Sequence, residues 1–142
     1  MGSHATVFDM VGGAAVFGKR LGSSDLVRLV RGGLPVAAAQ FLLDSGRLTA
    51  GELDQVVLPR KTLANRRKLG TLTSDQSDRL MRVARLLAAA EQTFGSQDKA
   101  GSWLRRSTAA LAGERPLDML DTDEGARHVE ALLGRIDHGI AA

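Results

Sequence analysis

A ten-residue stretch, PRKTLANRRK from Pro59 to Lys68, concentrates side chains that bind anions. Five of its ten residues are Lys or Arg and none is acidic. Lys and Arg neutralise phosphates, and Asn and Arg also form bidentate hydrogen bonds with base edges in the major groove of DNA. The stretch therefore predicts recognition of nucleic acid, with an ordinary solvated helix face as the alternative.

Helical geometry arranges these side chains into a row. Leu63 is the apolar residue that faces the core in this arrangement. A turn of 100° per residue then places Lys61, Asn65 and Lys68 within about 40° of the opposite side. A row without a carboxylate repels itself, whereas a merely solvated face usually includes Glu, so phosphate contacts explain the composition. The candidates that flank the row are Arg60, Thr62, Arg66 and Arg67.

The elements around this stretch predict a helix-turn-helix. Thr49 and Glu52 form a capping box that starts a helix of about nine residues, ending at Val57. Leu58 and Pro59 make a tight turn, and the basic stretch is the second helix. We therefore predict a DNA-binding surface. RNA is less favoured, because no aromatic side chains interleave the basic ones.

A second phosphate-binding motif is incomplete. Residues 13–20, GAAVFGKR, match the G-x-x-x-x-G-K of a P-loop, but the next position must be Ser or Thr to hold magnesium, and here it is Arg20. No convincing strand precedes the motif. A nucleotide-dependent enzyme is therefore a poor interpretation of this chain.

Metal binding and acid–base catalysis are not indicated. Apart from His4, the histidines are His128 and His138, which one helix would place about 15 Å apart along its axis. The carboxylates of residues 118–130 are explained by helix capping and a solvated face. There is no cysteine, which excludes disulfides and thiolate metal sites. The sequence predicts no enzyme, no cofactor and no metal.

Composition predicts one compact domain or two small ones. The chain has 142 residues, of which 44% are hydrophobic and 25% charged, and such a chain can bury a core. No apolar run approaches the ~20 residues of a membrane span, and no signal peptide is visible, so we expect a cytoplasmic protein. The first four residues, MGSH, resemble a tag remnant.

Charge is distributed unevenly along the chain. Residues 1–95 contain 13 basic and 8 acidic side chains, and residues 96–142 contain 6 basic and 8 acidic ones. A basic front and an acidic back are typical of two surfaces with different partners, and chance is the alternative explanation.

Helical periodicity predicts an all-α fold. Residues 1–23 combine the tag remnant with a Gly-rich arm that we expect to be flexible or loosely packed. A helix-turn-helix module follows over residues 24–73, and Ser24 is expected to cap its first helix.

The second half of the chain begins with its longest predicted helix, residues 74–94, which starts at a capping box of Thr73 and Gln76. Its broad apolar stripe predicts either a connection between two modules or subunits, or a central core helix. A C-terminal helical module over residues 95–142 ends in a helix that Thr122 caps.

Two stretches resemble a known family. Residues 58–86, LPRKTLANRRKLGTLTSDQSDRLMRVARL, resemble the helix-turn-helix core of Xre-type antitoxins from RES–Xre toxin–antitoxin pairs. Residues 94–139 resemble the Xre/MbcA/ParS toxin-binding domain. This second stretch joins F-G, W-L, L-x-G-x-x-P, D-x-L-x-T-x-x-G and V-E-x-x-L-x-R-I-x-x-G in one order. It departs from the family at residues 107–108, Ser-Thr, where Pro-Asn is common.

The resemblance implies a bacterial antitoxin that binds a RES-domain toxin, which destroys NAD, and occludes its NAD cleft. It also implies that the complex represses its own operon. NAD then belongs to the toxin. The DNA surface implied by the resemblance comprises Arg60, Lys61, Thr62, Asn65, Arg66 and Arg67, beside Lys68 from the helical row. The implied toxin contacts lie near the end of the last helix: Leu133, Arg135, Ile136, His138, Gly139 and Ile140.

Two of these toxin contacts, Leu133 and Ile136, are also expected in the core. We further expect a homodimer, because helix-turn-helix proteins usually read paired half-sites. The main alternative is a stand-alone helix-turn-helix transcription regulator whose C-terminal module senses something else.

Overall fold

The computed structural model describes residues 6–139, and over that range the fold is all-α, as predicted. Two 3-10 helices, Ala109–Leu111 and Pro116–Asp121, precede the last α-helix. The α-helices are α1 (Val7–Met10), α2 (Gly13–Phe17), α3 (Ser23–Gly32), α4 (Val36–Asp44), α5 (Ala50–Val56), α6 (Arg60–Leu69), α7 (Ser74–Phe94), α8 (Gln97–Leu104) and α9 (Asp123–Asp137).

Capping residues start the helices that matter most for the site. Thr49 accepts a hydrogen bond from the backbone N–H of Glu52, and the Glu52 carboxylate accepts the N–H of Thr49 in return. Thr73 and Gln76 form the same capping box at the start of α7, and the Thr122 hydroxyl accepts the N–H of Gly125 at the start of α9. These predictions are confirmed. Such caps can be predicted from the sequence because each depends on residues only three positions apart.

The predicted start of α3 lies two residues too late. The helix begins at Ser23, with Gly22 rather than Ser24 in the capping position. The Asp25 carboxylate accepts the backbone N–H of Gly22 at 3.0 Å and a bond from Arg28 at 2.7 Å. An ionised acceptor at the third position supplies the cap from inside the helix, so no hydroxyl is needed before it.

The long helix α7 lies at the centre of the described residues. It contacts α1, α3, α8 and α9. Its residues Leu80, Val83 and Leu86 have no exposed surface. One continuous apolar core extends from Met10 to Leu133, so the structure agrees with the interpretation of α7 as a central core helix.

The expectation of a flexible or loosely packed N-terminal arm is wrong for residues 7–17. This segment forms α1 and α2, and α1 packs against α7. Met10 and Val11 are fully buried. Each helix is too short for a periodic pattern, and the glycines between them obscure the apolar residues that anchor the segment. Residues 1–5 lie outside the described range.

Backbone hydrogen bonding joins the segment before α4 to the segment after α6. The N–H of Leu72 donates to the carbonyl of Leu34 at 2.8 Å, and the N–H of Leu34 donates to the buried hydroxyl of Ser77, also at 2.8 Å. Gly33 has a φ of 97°, and a Cβ there would collide with the carbonyl oxygen of Leu72. Glycine at this position therefore permits the close approach that fixes the end of α6.

No helix within residues 6–139 is both long enough and apolar enough to cross a membrane.

Candidate functional site

Helices α5 and α6 form the predicted helix-turn-helix. Residues 57–59 connect them, and the N–H of Leu58 donates to the carbonyl of Leu53 at 3.2 Å. The Asp54 carboxylate accepts the backbone N–H of Arg60 at 2.9 Å, which caps α6 from α5. Leu63 is 6% exposed and anchors α6 to the core. The two helices are thus held at a fixed angle by an apolar contact and a charged cap.

The row on α6 consists of Lys61, Asn65 and Lys68. All three are exposed, and within the described residues none of the three side chains takes part in a hydrogen bond or an ion pair. Leu63 lies on the opposite side, as the helical geometry predicted. The cationic and amide groups of the row are therefore available to an external acceptor.

The other basic residues of α6 lie closer to the body of the protein. Arg66 donates through Nε to the carbonyl of Thr71 at 2.7 Å, and Arg67 donates to Oε1 of Gln40 at 2.7 Å. Arg60 is exposed at the start of the helix, and Thr62 is half-buried. Within the described residues, Arg66 and Arg67 thus already have internal side-chain partners, and the row does not.

Leu69, which the sequence analysis did not single out, is 67% exposed at the end of α6. It lies about 120° from Leu63 around the helix, next to Asn65. The helical geometry of 100° per residue, which placed the row on the exposed side, also places Leu69 there, so the sequence contained the signal for it. An exposed leucine beside Asn65 widens the polar row into a mixed surface.

The end of α9 carries the residues that the family resemblance assigned to a partner protein. Arg135 and His138 are exposed, Ile136 is half-buried, and Gly139 is exposed with a φ of 73°. Leu133 is 2% exposed and lies in the core, so it presents no surface to a partner in this conformation. Ile140 lies outside the described residues.

The two described histidines are bound locally and separately. Nε2 of His128 lies 3.2 Å from Oε2 of Glu124, and Nδ1 of His138 lies 2.7 Å from the carbonyl oxygen of Gly134. Each partner is four residues earlier on α9. Neither contact brings the two imidazoles together.

Two ion pairs that are at least partly buried lie away from α6, and sequence reasoning missed both. Nε of Arg47 donates to Glu91 at 2.7 Å, with side chains only 15% and 10% exposed. Arg105 binds Glu52 through two hydrogen bonds, at 2.7 and 2.8 Å. Burial raises the pKa of Glu52, but the hydrogen bonds from Arg105 and from the Thr49 N–H outweigh it and lower that pKa below its ordinary value.

A third polar bridge reaches α5 from the 3-10 helix. Arg115 binds Asp118 through two hydrogen bonds, at 2.9 and 2.8 Å, and Gln55 donates to the same carboxylate at 2.9 Å. The hydrogen bonds from Arg115 hold the pKa of Asp118 below its ordinary value. Arg115 and Asp118 are only three residues apart, but no sequence signal identifies Gln55 as a partner, because it lies 63 residues from Asp118.

These features define a helix-turn-helix protein that carries an additional helical domain. Residues 25–85 match the family described as the antitoxin Xre-like helix-turn-helix domain. Residues 89–139 match the antitoxin Xre/MbcA/ParS C-terminal toxin-binding domain. Together these two matches cover more than three quarters of the chain.

Individual relatives agree with the family matches. The chain is 40% identical over 99 residues to "Antitoxin Xre" of Pseudomonas putida, covering 69% of this chain and 62% of the relative. It is 42% identical over 74 residues to "Antitoxin Xre" of Photorhabdus laumondii, covering 51% and 50%. The chain therefore spans less than two thirds of these relatives.

A more distant relative aligns over nearly the whole chain. It is the "Prs ADP-ribosylating antitoxin" of Sphingobium sp., 28% identical over 148 residues, covering 98% of this chain and 84% of the relative. The chain belongs to the Xre-type antitoxin family, and it combines the family's helix-turn-helix with its toxin-binding domain.

Proposed function

We propose that this protein binds and neutralises a partner toxin through its C-terminal domain and represses its own operon through α6. The observation that carries the proposal is the pairing of two accessible surfaces in one chain. One is the free row Lys61, Asn65 and Lys68 within a helix-turn-helix match. The other is the exposed end of α9 within a toxin-binding match.

The proposed toxin is a RES-domain protein that degrades NAD, and the proposed mode of inhibition is occlusion of its NAD cleft. The end of α9 fits that task because it projects a cation, an apolar side chain and an imidazole from one helical turn. Arg135, Ile136 and His138 are the described residues that supply them, followed by Gly139. Ile140 remains a candidate for the same contact.

A short truncation tests the toxin-binding half. Deletion of residues 137–142 removes no buried side chain among the described residues, so the fold is expected to persist. We expect the truncated protein to lose rescue of cells that co-express the toxin encoded beside it, and cellular NAD to fall. Deletion of all residues from 96 onward is a poorer test, since it also removes the core residues Leu104, Leu120 and Val129.

Two substitutions support the truncation. The double variant Arg135→Ala, His138→Ala should weaken rescue, and Arg127→Ala, which removes an exposed cation from the same helix, should not. Full rescue by the truncated protein would remove residues 137–142 from the toxin contact.

The name of the Sphingobium relative favours a second candidate activity for the partner, transfer of ADP-ribose to a protein. Both activities consume NAD, so loss of NAD alone does not separate them. Cells that express the toxin without this protein can be supplied with labelled NAD. Label attached to protein supports transfer, and loss of NAD without labelled protein supports degradation.

A stand-alone transcription regulator is the alternative to an antitoxin. A RES-domain reading frame next to this gene favours the antitoxin, and its absence favours the regulator. In either case we propose that two copies read paired half-sites about 34 Å apart, the spacing of one helical turn of DNA. Gel-shift titration against duplexes with altered spacing tests that arrangement.

A further inference from the structure

Polar contacts join the helix-turn-helix region, residues 25–85, to the toxin-binding region, residues 89–139. They are mostly made by charged groups, and their donors and acceptors lie at least 39 residues apart. The contacts include Arg47–Glu91, Glu52–Arg105, Gln55–Asp118 and the donation from Gln97 to the carbonyl of Ser45. The two regions therefore share ion pairs as well as an apolar core.

Arg105 holds the start of α5 at more than one point. Its Nε donates to Oε2 of Glu52, and its Nη2 donates both to Oε1 of Glu52 and to the carbonyl of Arg47. The same Oε1 accepts the N–H of Thr49 in the capping box. A planar guanidinium that engages both oxygens of one carboxylate fixes direction as well as distance.

The orientation of α5 determines the orientation of α6. Only residues 57–59 separate the two helices, and Asp54 of α5 caps the first N–H of α6. A rotation of α5 therefore moves Lys61 and Asn65 relative to any bound duplex. Such a movement matters most for contacts with base edges, because hydrogen bonds there tolerate little displacement, whereas phosphate attraction depends weakly on angle.

We propose that Arg105, a residue of the toxin-binding domain, is a positioning residue for DNA reading by α6. It acts through Glu52 and α5 and does not itself contact DNA. This inference rests on the proposed binding of DNA by α6. It also places the DNA-reading helix under the control of the domain that binds the partner.

The next residue supplies a matched control. Arg106 is exposed, and its side chain has no hydrogen-bond or ion-pair partner among residues 6–139. Arg105→Ala and Arg106→Ala therefore remove the same charge from the same segment. The probes are a duplex from the region upstream of this gene and a scrambled duplex of equal length.

We expect Arg105→Ala to weaken binding to the upstream duplex by about tenfold and to leave binding to the scrambled duplex unchanged. The dependence of affinity on salt should also stay unchanged, because the cations of α6 remain. Arg106→Ala should match the wild type on both duplexes. Thermal unfolding of each variant identifies a temperature at which all of them are folded.

Two further variants separate positioning from general stability. Glu52→Gln keeps an acceptor for the Thr49 N–H, as Gln76 does for Thr73. It should weaken binding to the upstream duplex as much as Arg105→Ala does. The double variant should lose no more than either single one, since both remove one interaction. Arg105→Lys retains the charge without the bidentate geometry. Its affinity for the upstream duplex should therefore lie between those of the wild type and Arg105→Ala.

The outcomes are distinguishable. If Arg105→Ala binds both duplexes as Arg106→Ala does, the inference is wrong while DNA binding stands. An equal loss on both duplexes with a lower salt slope would show that Arg105 contacts phosphate itself, which also contradicts the inference. A folded wild-type protein that binds neither duplex would overturn the proposed DNA-binding function and this inference with it.

Discussion

Two regions of this molecule use positively charged side chains in opposite ways. The row on α6 exposes Lys61, Asn65 and Lys68 without an internal partner among the described residues. The contacts between the two domains instead pair Arg47 and the half-buried Arg105 with carboxylates at 2.7 Å. Residue type alone does not separate them, because a cation in the sequence does not reveal whether its partner lies within the chain.

The difference lies in where the compensating negative charge comes from. A buried guanidinium must meet a carboxylate within the chain, because leaving it unpaired is costly. An exposed cation has no such requirement, and its partner can be a phosphate on another molecule. Loss of an internal pair should therefore change stability, and loss of an external one should change binding alone.

The largest expected effect is on the Arg47–Glu91 pair. Arg47→Ala leaves the Glu91 side chain, which is 10% exposed, without its partner, and should destabilise the fold by about 3–5 kcal/mol. Denaturant unfolding measures this value. The control is Arg28→Ala, which breaks an exposed pair with Asp25 and should cost far less, because solvent screens exposed pairs. Equal losses would contradict the distinction between buried and exposed pairs.

Acid should weaken the ion pair between Glu52 and Arg105. The pKa of Glu52 is lower in the folded protein than the ordinary value of 4.5. Its contribution to stability is therefore fully present above pH 4.5, and it is lost as the pH falls through the lower folded-state pKa. Unfolding measured across that range should show a smaller acid-induced loss in Glu52→Gln, whose side chain does not titrate.

Asn65 is expected to act on specificity rather than on stability. Asn65→Ala should reduce discrimination at one base pair by about 1–3 kcal/mol and leave the unfolding transition unchanged. Competition between duplexes that differ at single positions measures the first effect. Uniform weakening on every duplex would mean that Asn65 contacts the backbone rather than a base.

Local features of this fold could be predicted from the sequence, because each depends on a few neighbouring residues. The capping boxes at Thr49 and Thr73 are examples, and so is the end of α7 at Gly95, which has a φ of 86°. The row on α6 followed from helical geometry once Leu63 was placed inward. The motif residue Gly125 has a local reason too, since a Cβ there would collide with the carbonyl of Met119.

Long-range partners could not be predicted in the same way. Glu52 and Arg105 are 53 residues apart, and the capping box already accounted for Glu52 locally. From the sequence alone, Glu52 could not be distinguished from the other carboxylates as the partner of Arg105. The burial of Met10 and Val11 was missed for a related reason, because it depends on α7, some 70 residues away by sequence number.

The smallest expected effect is at Lys61, and it gives the sharpest test of an external partner. Lys61→Ala should weaken binding to all duplexes to a similar degree and lower the dependence of log affinity on log salt by about one. Arg127→Ala, which removes an exposed cation from α9, should leave that slope unchanged. Because Lys61 has no partner among the described residues, unfolding of the Lys61 variant should match the wild type. An unchanged slope would remove Lys61 from the phosphate contacts and leave Asn65 and Lys68 as the remaining members of the row.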